Sequence, residues 1–275
     1  MLKLITPAPA GSAHLTFTRS GAATVLTRAF ATSPAKLIET RGRNSTCWVY
    51  AATFGGGLVG GDEVQLRAEV TTAARALLTT QASTKVFRSL RRSRQSLHAT
   101  VDAGAFLAVL PDPVVCFAGA DFTQTQRYDL HTDASLVMVD WITSGRHASG
   151  ERWAFSRYEN RIDLRRGSQR IVLDSLVLEP NLDSVVERMG RFDVLLTAVV
   201  TGPLVAGAAS NLAAYVSQSS IDRHAELVVS ASRLRDGGTL LRMAGTSVEQ
   251  MGRALRAHFA FLSPLTGDDL WRRKW

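Results

Sequence analysis

The side chains that can do chemistry in this chain are scattered carboxylates, and the best candidate site lies in residues 140–153, DWITSGRHASGERW. Asp140 follows the apolar run 136–139, which puts its carboxylate at the end of a strand or inside one. A buried carboxylate is costly unless it is paired or bound to a cation. A bidentate ion pair with Arg146, Arg152 or Arg88 makes it structural, and that is the default expectation. The alternative is a place on a polar path for a divalent cation, where sparse oxygen ligands hold the ion and release it again. Asp62, Glu151, Asp174 and Glu179 are candidates for the same path, since each adjoins a glycine turn or an apolar run. Another arrangement is an enzyme site in which Asp140, Arg146, His147 and Glu151 share acid–base work.

Other chemistries lack their signatures. The six histidines stand singly, and no H-E-x-x-H, C-x-x-C, EF-hand or nucleophile-elbow pattern occurs. No catalytic residue and no tightly bound cofactor is therefore expected. Cys47 and Cys116 are expected to be small, reduced core residues. Trp141 and Trp153 are expected in the core, whereas Trp271, Arg272 and Trp275 sit in a basic C-terminal tail that suits an interaction anchor.

The elements that must position these groups are organised around residues 54–89. Five glycines in seven positions, 55–61, precede an alternating strand pattern in which Val64, Leu66, Ala68 and Val70 interleave with Glu63, Gln65, Arg67 and Glu69. Gly55, Gly57 and Gly60 match G-x-G-x-x-G, but a strand follows where a dinucleotide site needs a helix, and no Lys-Ser/Thr closes a phosphate loop. The glycines are read as structural.

This block, GGGLVGGD followed by LLTTQASTKVFRS, resembles the signature of the UreD (UreH) family of urease accessory proteins. The resemblance continues through Asp140-Trp141, Gly145-Arg146, Gly150-Glu151, Trp153, residues 176–180 and residues 233–238, so it covers most of the chain. It implies a non-enzymatic scaffold that binds apo-urease and, with UreF and UreG, enables GTP-dependent nickel insertion, nickel being handled transiently. It also implies a mostly β fold, a stacked β-helix-like (solenoid-like) core with a small helical part. At residues 71–75, TTAAR, the chain departs from a family pattern that commonly carries a glycine before LLTTQ. The turn there either avoids positive φ or accepts strain.

Composition is compatible with that reading. A 275-residue chain with 45% hydrophobic and 20% charged residues can bury a large core. Net charge +8 and pI ≈ 10.2 favour an acidic partner. The basic run Arg88, Arg91, Arg92 and Arg94 is expected as an exposed turn, with a nucleic-acid-binding β protein as the alternative. Neither nucleic acid nor membrane is an expected partner, and with no secretory signal at the N-terminus the expected location is cytoplasmic. Residues 194–221 carry no charge, yet Gly202-Pro203 and many hydroxyls mark a buried strand and helix rather than a span.

A single domain over 1–275 is expected: a loose tail over 1–12, a β-rich core over 13–180, and strands plus about two α-helices over 181–275. Hairpins are expected at 14–28 and 225–244, and strands at 121–130, 135–142, 152–158, 160–166 and 169–178. One helix is expected through Leu204–Val216 spacing. Another starts at a Ser247/Gln250 capping box and ends at Pro264.

Overall fold

The computed structural model describes residues 8–40 and 45–271, so most of the expected tail, together with Arg272 and Trp275, lies outside the described residues. In chain order the strands are β1 (Ser12–Ser20), β2 (Ala23–Ala31), β3 (Ala35–Thr40), β4 (Cys47–Thr53), β5 (Glu63–Val70) and β6 (Arg75–Thr80). They continue with β7 (Thr84–Val86), β8 (Ser93–Val101), β9 (Phe106–Leu110), β10 (Val114–Cys116), β11 (Asp121–Leu130) and β12 (Ser135–Thr143). After β13 (Arg157–Arg166) and β14 (Gln169–Leu178) come α1 (Val185–Met189), β15 (Val194–Thr201) and α2 (Ala206–Gln218). The last elements are β16 (Leu227–Arg233), β17 (Thr239–Gly245), α3 (Val248–His258) and α4 (Leu262–Thr266). The protein is mostly β.

The strands form two sheets. One runs β14-β13-β11-β8-β5-β1-β2, and the other runs β16-β17-β15-β12-β9-β6-β4-β3 with β7 and β10 off its path. From β5 to β13 the chain swings between them, so β8 and β9 do not pair although a turn joins them. Instead β8 pairs in parallel with β5 and β11, and β9 with β6 and β12. Parallel neighbours need a crossover, and here a strand of the opposite sheet supplies it in place of a helix. Antiparallel pairs occupy the margins, including the expected hairpins β1–β2 and β16–β17.

The larger sheet is covered on both faces, by the smaller sheet on one side and by α2, α3 and α4 on the other. That is why β9 and β12 are buried at every position. Even-numbered residues of β12, Leu136 and Met138, join the core between the sheets. The odd-numbered Val137, Val139 and Trp141 pack in the helix-side cluster with Val205, Ala209 and Leu255. A third cluster, with Leu58, Phe122, Trp153 and Tyr158, closes one end. Cys47 and Cys116 are buried thiols, as expected; burial pushes Cys47 up to about 12.

Two expectations are corrected. Residues 152–156 form no strand: Trp153 takes φ 51° and is held by its Nε1 donating to the Phe192 carbonyl (3.1 Å). Pro264 does not end the C-terminal helix. Helix α3 stops at His258, and Pro264 lies inside α4, where an early-turn proline costs no hydrogen bond. The Ser247 cap does form, its hydroxyl accepting from the Gln250 N–H. Among the described residues no helix is long and apolar enough to cross a membrane.

The turn from β5 to β6 resolves the choice posed by TTAAR. Ala73 sits at φ 57°, with its N–H donating to the Ala103 carbonyl (3.0 Å). The turn therefore accepts a left-handed alanine, a strain of about 1 kcal/mol. Ala73→Gly is expected to raise stability by roughly 0.5–1 kcal/mol in a denaturant melt. A destabilised variant would show that Ala73 is not strained.

Candidate functional site

The site is built by the alternation of β11. Phe122, Gln124, Gln126, Tyr128 and Leu130 are all buried on one side of the strand, which turns two glutamine amides into the space between the sheets. Gln124 stands in register with Asn160 of β13 and Gln95 of β8, so neighbouring strands extend the polar stripe. From the opposite sheet Asp140, sixth residue of β12, points into the same layer and is only 6% exposed.

Neutral amides satisfy the Asp140 carboxylate. Gln126 Nε2 donates to Oδ1 (2.7 Å), Gln124 Nε2 donates to the same oxygen, and Asn160 Nδ2 donates to Oδ2 (2.8 Å). The Tyr128 hydroxyl donates to Gln126 Oε1 (2.7 Å) and fixes which way that amide faces. Against expectation, no guanidinium among the described residues pairs with Asp140. Arg146 pairs with Glu151, and Arg152 with Asp193 (2.6 Å), because both arginines lie on the loop after β12 and not between the sheets. Burial pushes the Asp140 pKa up to about 6, partly offset by the Gln124 and Gln126 hydrogen bonds and assisted by the nearby Asp174 charge. At neutral pH Asp140 is thus mainly ionised. The same burial, with the Asp140 charge, holds the Tyr128 phenol neutral, far above its ordinary range.

Asp140, Gln124 and Gln126 form one wall of a cavity of about 170 Å³. Its other polar walls include Gln95 and the pair Thr80–Asp112, in which the threonine hydroxyl donates to Asp112 Oδ2 (2.9 Å) and accepts from the Asp112 N–H (2.7 Å). Gly56, Gln81 and Ala82 line the cavity and are exposed, so they mark its mouth. The arrangement can draw a cation inward. Two carboxylates, Asp140 and the Thr80-bound Asp112, line the cavity together with amide and hydroxyl oxygens, in a layer where the dielectric is lower than in water.

The structure brings Asp140, but not the other four candidates, to this wall. Asp62 accepts from the Val59 N–H (2.9 Å) and closes a turn. Glu151 is paired to Arg146, which holds its carboxyl below the usual range, and it accepts from the Ala118 N–H (3.1 Å). Asp174 is bound by Arg242 (2.8 Å), and Glu179 is bound by Arg157. Arg146, His147 and Glu151 do not converge with Asp140. Trp271 is partly buried against the helix-side core, with the Arg256 guanidinium 5.9 Å from its ring centroid. Among the described residues no three His, Cys, Asp or Glu side chains gather to hold a metal ion.

Asp140 carries a linkage that can be measured. Its folded pKa of about 6 lies above the ordinary aspartate value of 3.8. Its contribution to stability is therefore full below pH 3.8 and is lost as pH rises through about 6, a cost of roughly 3 kcal/mol at neutral pH. Asp140→Asn can keep the cradle if the Asn160 amide turns its oxygen inward. It is expected to stay folded, to lose this pH slope in urea melts, and to be no less stable than the parent at pH 7.5. A variant unfolded at pH 7.5 would overturn the linkage.

Comparison with known proteins places the chain. Residues 9–275 match the family described as UreD urease accessory protein. A urease accessory protein UreD of Sorangium cellulosum is 52% identical over 97% of this chain and 85% of that protein. One of Anaeromyxobacter is 42% identical over 96% and 89%. Urease accessory protein D of Arabidopsis thaliana is 34% identical over 80% and 84%. With a match that runs through the glycine block, the amide cradle and both late helices, the chain belongs to the UreD family of urease accessory proteins.

Proposed function

We propose that the protein is a cytoplasmic, non-catalytic scaffold that binds the urease apoprotein and, with UreF and UreG, takes part in GTP-dependent insertion of nickel into the urease active site. In this reading nickel is cargo that passes through the cavity. The swing of strands between two sheets is read as the β-helix-like coil that the resemblance implied, and it leaves an interior seam along which a polar path can run. GTP hydrolysis falls to UreG, which agrees with a glycine block whose φ values serve a turn and which leads into a strand.

One observation supports the reading most: Asp140 is buried, mainly ionised at neutral pH and faces a cavity, yet among the described residues it has amide donors and no cationic partner. A permanent guanidinium would neutralise it. Amides keep it buried while leaving its charge for a passing cation. Release again needs weak ligation, and carboxylates already engaged by amide and hydroxyl donors supply that. Asp62, Glu151, Asp174 and Glu179, engaged in turns and ion pairs, have a smaller claim to the path.

The test is reconstitution of urease from apo-urease, UreF, UreG, GTP, bicarbonate and nickel. Asp140→Ala and Asp140→Asn are expected to join the complex normally and to lower activated urease by about tenfold or more, a change of some 1.4 kcal/mol in the limiting step. Full activation by a folded Asp140→Asn protein would remove Asp140 from the route.

A further inference from the structure

The rim of the cavity carries a surface with no role in the cradle. Two segments form it, the glycine block over 54–61 and the loop 85–91. The Leu58 N–H donates to the Lys85 carbonyl (2.8 Å), the Phe87 N–H to the Leu58 carbonyl (2.9 Å), and the Ser93 hydroxyl to the Val59 carbonyl (2.9 Å). They pack so closely that a Cβ on Gly60 would fall 1.4 Å from the Ser89 hydroxyl, and one on Gly57 would fall 2.7 Å from the Lys85 carbonyl oxygen. The glycines thus fix one loop on the other, and what projects from them is presented on a laced platform.

Large apolar side chains project. Leu90 is fully exposed, and Phe54 and Val59 are more than half exposed. Around them stand Lys36, whose ammonium lies 5.6 Å from the Phe54 ring centroid, and the exposed Lys85, Arg88 and Arg91. None of these four has a carboxylate within ion-pair distance among the described residues, whereas the adjacent Arg92 is paired with Asp121 (2.8 Å). Exposed apolar residues ringed by unpaired cations make a poor solvent surface and a good match for an acidic face with an apolar socket. Gly56 belongs both to this platform and to the cavity mouth, and Ser83 and Thr84, which line the cavity, lead directly into it.

We infer that this platform is the docking surface for an acidic face of the urease apoprotein, with Leu90 as its central anchor, so that the partner closes over the cavity mouth. This rests on the scaffold reading above. Urease is the occupant because the family is described as urease accessory protein, and because a protein exchanging cargo with the cavity must meet its mouth.

The test is binding of the purified protein to apo-urease by sedimentation or biolayer interferometry, at low and high salt. Leu90→Asp, and separately Arg88→Glu with Arg91→Glu, are expected to weaken binding by about tenfold or more with unchanged melting temperature. The double charge reversal is also expected to flatten the salt dependence. Ile221→Asp, an exposed apolar site outside the platform, serves as control and is expected to bind as the parent does. Parent binding that the platform variants leave intact, or that Ile221→Asp weakens equally, overturns the assignment while the scaffold reading stands. Loss of UreF binding alone overturns it too. No binding of the parent to apo-urease overturns both.

Discussion

A carboxylate buried between two sheets, with no cationic partner among the described residues, is the constraint on which the rest of the structure turns. Taking an ion out of water costs several kcal/mol even after relaxation. Three amide donors from the facing sheet offset part of that cost and leave the pKa of Asp140 near 6. The donors and the carboxylate must arrive from different strands of the chain. Gln124 and Gln126 share β11, Asn160 comes from β13, and Asp140 itself comes from β12 in the other sheet. The fold that swings strands from sheet to sheet brings them together, and the parallel register between β11 and β13 sets Gln124 beside Asn160. A one-residue slip would turn both amides to solvent and leave the carboxylate bare.

Much of the fold was legible in the sequence. Strands such as β11 and β14 fall where alternation placed them, and α2 and α3 follow the 3.6-residue spacing. Turn signals mark the breaks but not the partners: the Asp-Ala-Gly turn at residues 102–104 carries the chain from one sheet to the other. Turn chemistry is local, whereas parallel pairing links strands some thirty residues apart. Trp153 escaped for a related reason, since its left-handed backbone is imposed by the pocket that receives its indole and not by its own preference.

The site was half legible. Asp140 stood out as a charge after an apolar run. Arginines are the expected partners because an ion pair is the strongest local solution, but Arg146 pairs with Glu151 on its own loop and Arg152 with Asp193 just before β15. The amide cradle left a signal in the sequence all the same. In DFTQTQRYDL the apolar Phe122, Tyr128 and Leu130 mark the inward face, and Gln124 and Gln126 fall on it. Two inward amides on one strand call for a polar group opposite. The Thr80–Asp112 pair had no such signal, because its two members meet only through the parallel pairing of β6 with β9.

The most direct measurement is the titration of Asp140 itself, followed by the Cγ shift of ¹³C-labelled aspartate with Asp140→Asn as the assignment control, with and without nickel. The account predicts a midpoint near pH 6 that moves to lower pH when nickel is present, since a cation at the cavity wall favours the charged form. A midpoint in the ordinary carboxylate range, or one that nickel leaves in place, would contradict the claim that this buried charge is kept for a passing cation.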